Sequence, residues 1–226
     1  MKKPPVFIAL DVNSEDQALD LVEKTYLYVS GYKIGPRLYL KYGNAFLEKV
    51  KSFGGIFLDF KFFDIPSATE EAVHSAYSVG ADYVTVHASV GGETLKRLAQ
   101  LEKEKSKNRP FKVLCVTVLS SESGSKGSVT KRVRSLSDLV IRSGLKGLVC
   151  SPLEVQDLRN KYKDAFLVTP GIRFEKDSYY DQKRVMTPEQ AFRAGSSLLV
   201  IGRSIIRSED PSQACRKLSE MLGFSL

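Results

Sequence analysis

The chain has 226 residues, 42% hydrophobic and 27% charged. That is an ordinary globular balance, at a length that buries a full core without disulfide or metal staples. No apolar run reaches the roughly 18 residues of a membrane-spanning helix, so no membrane partner is expected. The net charge of +8 is spread along the chain. Only Lys126 to Arg134 is locally basic, and it lacks interleaved aromatics, so it reads as solvated surface rather than a nucleic-acid stripe. Such a field would still draw in a small polyanion.

The opening, MKKPPVFIALDVN, carries two lysines and a short apolar run that Asp11 ends. Without a long apolar region or a small-residue cleavage site it reads as a first strand, not a signal peptide. Short β-rich runs then recur: 6–12, 31–35, 55–61, 82–88, 111–119, 147–150, 165–170 and 198–202. They are near-continuously apolar, as strands covered on both faces are. Segments of helical spacing separate them. Ser14 suits an N-cap with Gln17 three residues on. Gly80 is a natural helix stop, and TPEQAFRAG places Pro188 in a first turn and Gly195 at an end. Two stretches read as long loops, 120–128 and 171–184, and loops of that length in a compact domain are usually functional.

Eight strands, each followed by a helical segment, match a (β/α)8 TIM barrel, read as one domain over residues 1–226. The competing architecture is a doubly wound open sheet, for which no GxGxxG follows the first strand. Cys115, Cys150 and Cys215 form no CxxC pair and read as free thiols of a reducing, cytoplasmic setting.

In a barrel the strand ends converge at one mouth. Asp11, Lys33, Asp59, Lys61 and His87 all lie at strand ends, and Asp59 and Lys61, two apart, share a side of a regular strand. Lone examples of each serve caps or ion pairs, and His87 alone suits a structural histidine. Two lysines and several acids at one mouth are better explained as a site, because buried ion pairs stabilise poorly. A lysine between carboxylates suits a positioned general acid. The two histidines lack metal-ligand spacing, although the acids alone would also suit magnesium. LVIGRSI puts Gly202 and Arg203 after the last strand, where backbone N–H groups and a guanidinium suit a phosphate. Gln182 in the long loop would reach over the same anion.

ALDVNS, YKIG, LDFKFFDIP, VTVHAS, VTVLSS, LVTPGIR, DQKRVMTP and VIGRSI together resemble the orotidine 5′-monophosphate decarboxylase family in its short bacterial forms, essentially end to end. The D-x-K-x-x-D-I-P block is the most specific of them. The resemblance implies a (β/α)8 homodimer with shared active sites, a nucleotide substrate, and neither cofactor nor metal. It implies that Lys61 protonates C6 of the pyrimidine as carbon dioxide leaves, with Asp59 against the departing carboxylate. Lys33 would orient Asp59 and, with Asp11, bind ribose. Asp64 would reach the partner subunit's site, and Ser120 would contact the pyrimidine. Gln182, Gly202 and Arg203 would grip the phosphate under a closing lid.

One position departs from the pattern. The family reads D-I-P-x-T, whereas here Ala68 takes the threonine position and Thr69 follows. Either the helix entry turns so that Thr69 substitutes, or that ribose contact is missing. Two rivals stand beside the decarboxylase. One is a sister barrel acting on a sugar phosphate with magnesium. The other is a catalytically silent nucleotide-binding barrel, which would have no need of the Asp59–Lys61 array.

Overall fold

The structure, a computed structural model, describes residues 3–119, 126–174 and 185–224. Eight parallel strands close into a barrel in chain order. They are β1 Val6–Ala9, β2 Gly31–Ile34, β3 Gly55–Phe62, β4 Tyr83–His87, β5 Lys112–Val116, β6 Gly147–Val149, β7 Phe166–Thr169 and β8 Leu198–Ile201. β1 pairs with both β2 and β8, which excludes the open sheet. The helices are α1 Glu15–Thr25, α2 Pro36–Lys51, α3 Pro66–Ser78, α4 Gly92–Lys105, α5 Lys126–Arg142, α6 Val155–Lys161, α7 Pro188–Arg193, α8 Arg203–Ile206 and α9 Pro211–Met221.

Every apolar run holds a strand, but several strands stop short of the run. β1 ends at Ala9 because Asp11 N–H turns back onto the Ala9 carbonyl at 2.9 Å, leaving the ladder. Ser14 caps α1 as expected, its hydroxyl accepting from Gln17 N–H at 3.3 Å. The Gln17 amide oxygen, however, reaches past the cap to Asn13 N–H at 3.2 Å, so the box closes one residue early. A full capping box forms instead at Thr187 and Gln190, ahead of α7. Gly80 and Gly195 end their helices with φ of +93° and +106°, as a left-handed stop requires. The polar stretch 120–128 is not all loop, since α5 begins at Lys126.

The strands are buried on both faces, which is why the runs read as continuous. Val6, Ile8, Ile56, Leu58, Val84 and Val86 lie in the large core cluster shared with the helices. Phe7, Ala9, Phe57, Leu114, Val168, Leu198 and Val200 form a second, separate cluster that fills the barrel. Its floor is aromatic: the Phe7 ring meets Tyr83 edge-on at 5.4 Å, and Tyr83 stacks on Phe166 at 5.6 Å. Room for Phe7 comes from Gly31 and Gly55. A Cβ on Gly31 would lie 2.6 Å from the Phe7 ring and 2.3 Å from the Gly55 carbonyl oxygen, and the second of these is backbone that cannot swing aside. Gly31→Ala is therefore expected to destabilise the barrel by about 2–3 kcal/mol, a loss of about 5–10 °C in Tm. An unchanged melting curve would mean that the Phe7 plug has slack.

All three cysteines are free and buried, and burial pushes the Cys215 thiol up to about 12, so it is not a reactive nucleophile.

Candidate active site

At the C-terminal ends of the strands the apolar plug gives way to charge. Lys33 sits near the end of β2, 12% exposed, with its Nζ 3.2 Å from Asp11 Oδ1 and 3.4 Å from Asp59 Oδ2. Lys61 Nζ lies 2.7 Å from Asp59 Oδ1. Asp11, Lys33, Asp59 and Lys61 thus form one alternating chain of acid and base, drawn from β2, β3 and the turn after β1. Thr85, on the next strand, donates its hydroxyl to Asp59 Oδ1 at 3.0 Å. Burial alone would push the Asp59 carboxyl up. Lys33 and Lys61, with the hydrogen bonds from Lys61 and Thr85, outweigh it and hold the group below the ordinary carboxylate range.

Asp59 and Lys61 meet, but not on a regular strand. β3 advances from Leu58 to Phe62 while β4 advances only from Val84 to Val86, so β3 bulges there. Lys61 absorbs the bulge with φ of +51°, the only non-glycine residue at positive φ among the described residues. A long side chain in the left-handed region costs on the order of 1 kcal/mol and persists where its surroundings fix it. Here the Lys61 N–H is fixed by Thr85 Oγ1 at 2.8 Å.

These charges line a cavity of about 270 Å³ whose walls include Phe57, Val149, Val168 and Val200. Gly202, Arg203, Gly171 and Arg173 line it as well. A Cβ on Gly202 would meet Ala9 Cβ at 3.5 Å, an ordinary contact, so packing alone does not demand glycine there. What the missing side chain preserves is open cavity beside Arg203. Arg173 was not singled out from the sequence. It sits 9% exposed where the long loop leaves the barrel, its guanidinium donating to the Ile172 carbonyl at 2.8 Å. Ile172 pairs with Met186, so the chain leaves and returns at one point of the rim. The available signal was Pro170-Gly171 just past the end of β7, with an arginine two residues on.

The remaining expectations fare differently. Asp64 does not line this cavity; it is exposed on the turn after β3, between Phe63 and Ile65, themselves 66% and 65% exposed. Thr69 is 1% exposed, and its hydroxyl bonds inside that turn, donating to the Asp64 carbonyl at 3.0 Å and accepting from Asp64 N–H at 3.2 Å. Both of these bonds lie inside the turn, whose conformation they hold. His87 ends β4 and serves as the structural histidine expected, its Nδ1 accepting from Ser89 N–H at 3.2 Å, with its ring 5.5 Å from that of Phe63. Ser120 and Gln182 lie outside the described residues. Among the described residues no three His, Cys, Asp or Glu side chains gather as a metal set, and no helix is long and apolar enough to cross a membrane.

A sequence profile of the Orotidine 5′-phosphate decarboxylase / HUMPS family matches residues 4–218. The chain belongs to this family. Its family relatives include the orotidine 5′-phosphate decarboxylase of Idiomarina loihiensis, 37% identical over 99% of this chain and 100% of that protein. That of Synechococcus sp. is 39% identical over 95% of both chains. Among solved structures, orotidine 5′-phosphate decarboxylase from Lactobacillus acidophilus superposes with a TM-score of 0.82 at 28% identity, covering 98% of this chain and 99% of that one. An uncharacterized conserved protein from Geobacillus kaustophilus gives 0.81 at 26% identity, over 96% of this chain and 100% of that one. The solved orotidine 5′-phosphate decarboxylase thus shares the barrel.

Proposed function

We propose that the chain is a carboxy-lyase of pyrimidine biosynthesis that converts orotidine 5′-monophosphate to uridine 5′-monophosphate without metal or cofactor. The observation that carries this reading is the Asp11–Lys33–Asp59–Lys61 chain facing Gly202, Arg203 and Arg173 in one cavity. It offers an ammonium for proton delivery and two guanidinium groups suited to phosphate, which relatives named for this substrate support.

The bond from C6 to the carboxylate breaks with its electron pair left on C6. Lys61 Nζ gives a proton to that carbon as carbon dioxide departs, then regains one from solvent. Before transfer the ammonium stabilises the developing carbanion in a cavity whose walls include Val149, Val168 and Val200. Asp59, held ionised by its two lysines, faces the substrate carboxylate and favours its departure. Asp11 and Lys33 bind the ribose hydroxyls, and Arg203 with Arg173 holds the phosphate, with Ser120 on the pyrimidine and Gln182 over the phosphate. Binding energy from the remote phosphate then orients the reacting carbon.

A second copy of the chain in the cytoplasm completes this reading. It would cover the exposed Phe63 and Ile65 and take Asp64 towards its own cavity, as a homodimer with shared sites. The buried thiols suit a reducing compartment.

The test is incubation of the purified protein with orotidine 5′-monophosphate in excess EDTA, following the ultraviolet change. Conversion is expected. A folded protein that converts nothing, yet acts on a sugar phosphate with magnesium, would overturn the reading. Arg203→Ala is expected to raise KM about ten- to hundredfold, the loss of a charge-assisted phosphate contact. An unchanged KM would remove Arg203 from the site.

A further inference from the structure

Thr85 has no place in the sequence motifs of the charged array, yet it touches that array twice. It lies on β4 between Val84 and Val86, which pair with Leu58 and Phe62 of β3 on either side of the bulge. Its side chain is fully buried, at 0% exposure. Valine has nearly the same shape and would be the ordinary residue for such a position, as it is at Val84 and Val86. A buried hydroxyl is retained without penalty only where its hydrogen bonds are made. Both of this one's are, and both go to the reacting pair. Thr85 Oγ1 accepts from the Lys61 N–H at 2.8 Å and donates to Asp59 Oδ1 at 3.0 Å.

The direction of the second bond follows from the first. A hydroxyl carries one proton, and a backbone N–H can only donate, so the proton of Thr85 is left to point at the carboxylate. Asp59 Oδ1 then receives two hydrogen bonds, from Thr85 and from Lys61 Nζ at 2.7 Å, while Oδ2 faces Lys33 at 3.4 Å. One side chain therefore fixes two things at once: the rotamer of Asp59, and the left-handed backbone from which Lys61 projects.

We propose that Thr85 is a positioning residue for the decarboxylation, clamping the bulge of β3 so that Asp59 and Lys61 hold their mutual geometry before substrate arrives. It contacts no substrate in this role and acts through the two residues it bonds. The role rests on the decarboxylase reading above. Rate falls steeply when a reacting group is misplaced by about 1 Å, and a clamp on the left-handed turn prevents that displacement.

The test compares wild type with Thr85→Val and Thr85→Ser, measuring kcat and KM for orotidine 5′-monophosphate, the dissociation constant of uridine 5′-monophosphate, and Tm. Thr85→Val keeps the shape and removes both hydrogen bonds, one of them to a charged group, so kcat is expected to fall about ten- to hundredfold. Product affinity should stay within about twofold, because Arg203 and Gly202 are untouched. Thr85→Ser, which restores the hydroxyl, should recover most of the lost turnover despite its missing methyl group. A merely structural Thr85 predicts the reverse order, with serine the more damaging because it leaves a cavity. Thr85→Val turning over like wild type, or Thr85→Ser failing to rescue, would overturn the proposal. If Thr85→Val does not fold, Thr85→Cys set against Thr85→Ser reads the same contrast, since both lack the methyl group and only serine restores a strong donor and acceptor. A wild-type protein without turnover would fail at the first control and would overturn the decarboxylase reading, and this role with it, before any variant is compared.

Discussion

Lys61→Ala is expected to leave the barrel folded and to reduce kcat by at least about ten-thousandfold, combining the loss of a positioned acid, about 10²–10⁴, with the loss of a fixed charge opposite a developing anion, about 10²–10³. The two losses have one physical source. The ammonium must be close enough to transfer its proton and must already be in place as the electron pair appears on carbon. Its placement depends on a backbone conformation that few non-glycine residues adopt, with φ of +51° at Lys61. Alanine at this position keeps the bulge and the Thr85 hydrogen bond to its N–H, so the local backbone survives. Asp59 retains Lys33 at 3.4 Å and the Thr85 hydroxyl at 3.0 Å, so its carboxylate is not stranded. Lys61→Gly would also remove the left-handed penalty and is expected to be as inactive as the alanine variant, which separates catalysis from strain. Single-turnover kinetics with circular dichroism on the same samples decides the matter. Near-normal turnover in a folded Lys61→Ala would exclude Lys61 as the proton donor.

Much of this site was legible because a closed parallel barrel imposes simple rules on its sequence. Strands buried on both faces must be apolar throughout, so a charge at the end of a run such as GYKI or GIFLDFK stands out against its background. The barrel then gathers those ends without further instruction. What could not be read were the features set by side chains acting on local backbone. The bulge in β3 has no glycine or proline to announce it, since the left-handed residue is Lys61 itself. Two-residue alternation therefore gave the right neighbours, Asp59 and Lys61, by an argument that does not hold at that point of the strand. Thr85 was hidden for the opposite reason: threonine is an ordinary strand residue, and only its partners across β3 distinguish it. Thr69 looked like a displaced ligand group because sequence spacing alone cannot tell whether a hydroxyl at a helix start faces outward or back into the preceding turn. Its bonds to Asp64 settle that it faces back. His87 followed the strand-end rule and yet caps a turn, a reminder that histidine at a strand end is as well suited to accepting a backbone N–H as to chemistry.

Asp59→Asn separates the two things a carboxylate does in this array. The substitution keeps the shape and one acceptor oxygen, replaces the other with a donor NH2, and removes the charge, leaving the ammonium groups of Lys33 and Lys61 at one mouth without the carboxylate between them. Turnover is expected to fall at least about a hundredfold, the scale of one preorganised electrostatic contact. KM should fall as well under the proposed mechanism, in which Asp59 faces the carboxylate that leaves, so that removing like-charge repulsion eases substrate binding while removing the push towards departure. A fall in kcat with KM unchanged would place the role of Asp59 wholly in the transition state. Unchanged kcat would exclude it from the chemistry. Stability supplies an independent reading. The Asp59 carboxyl is held below its unfolded value by Lys33 and Lys61 against the opposing effect of burial. A depressed carboxyl pKa contributes stability above the unfolded value, about 3.9, and that contribution is lost as pH falls through the folded value. Wild-type protein should therefore lose an increment of unfolding free energy below about pH 4 that Asp59→Asn, with nothing to titrate there, does not lose. Urea denaturation curves of the two proteins at neutral and acid pH should converge as the medium becomes more acid. Parallel curves across that range would mean that the lysines do not hold Asp59 ionised, and the alternating charge chain would lose its central member.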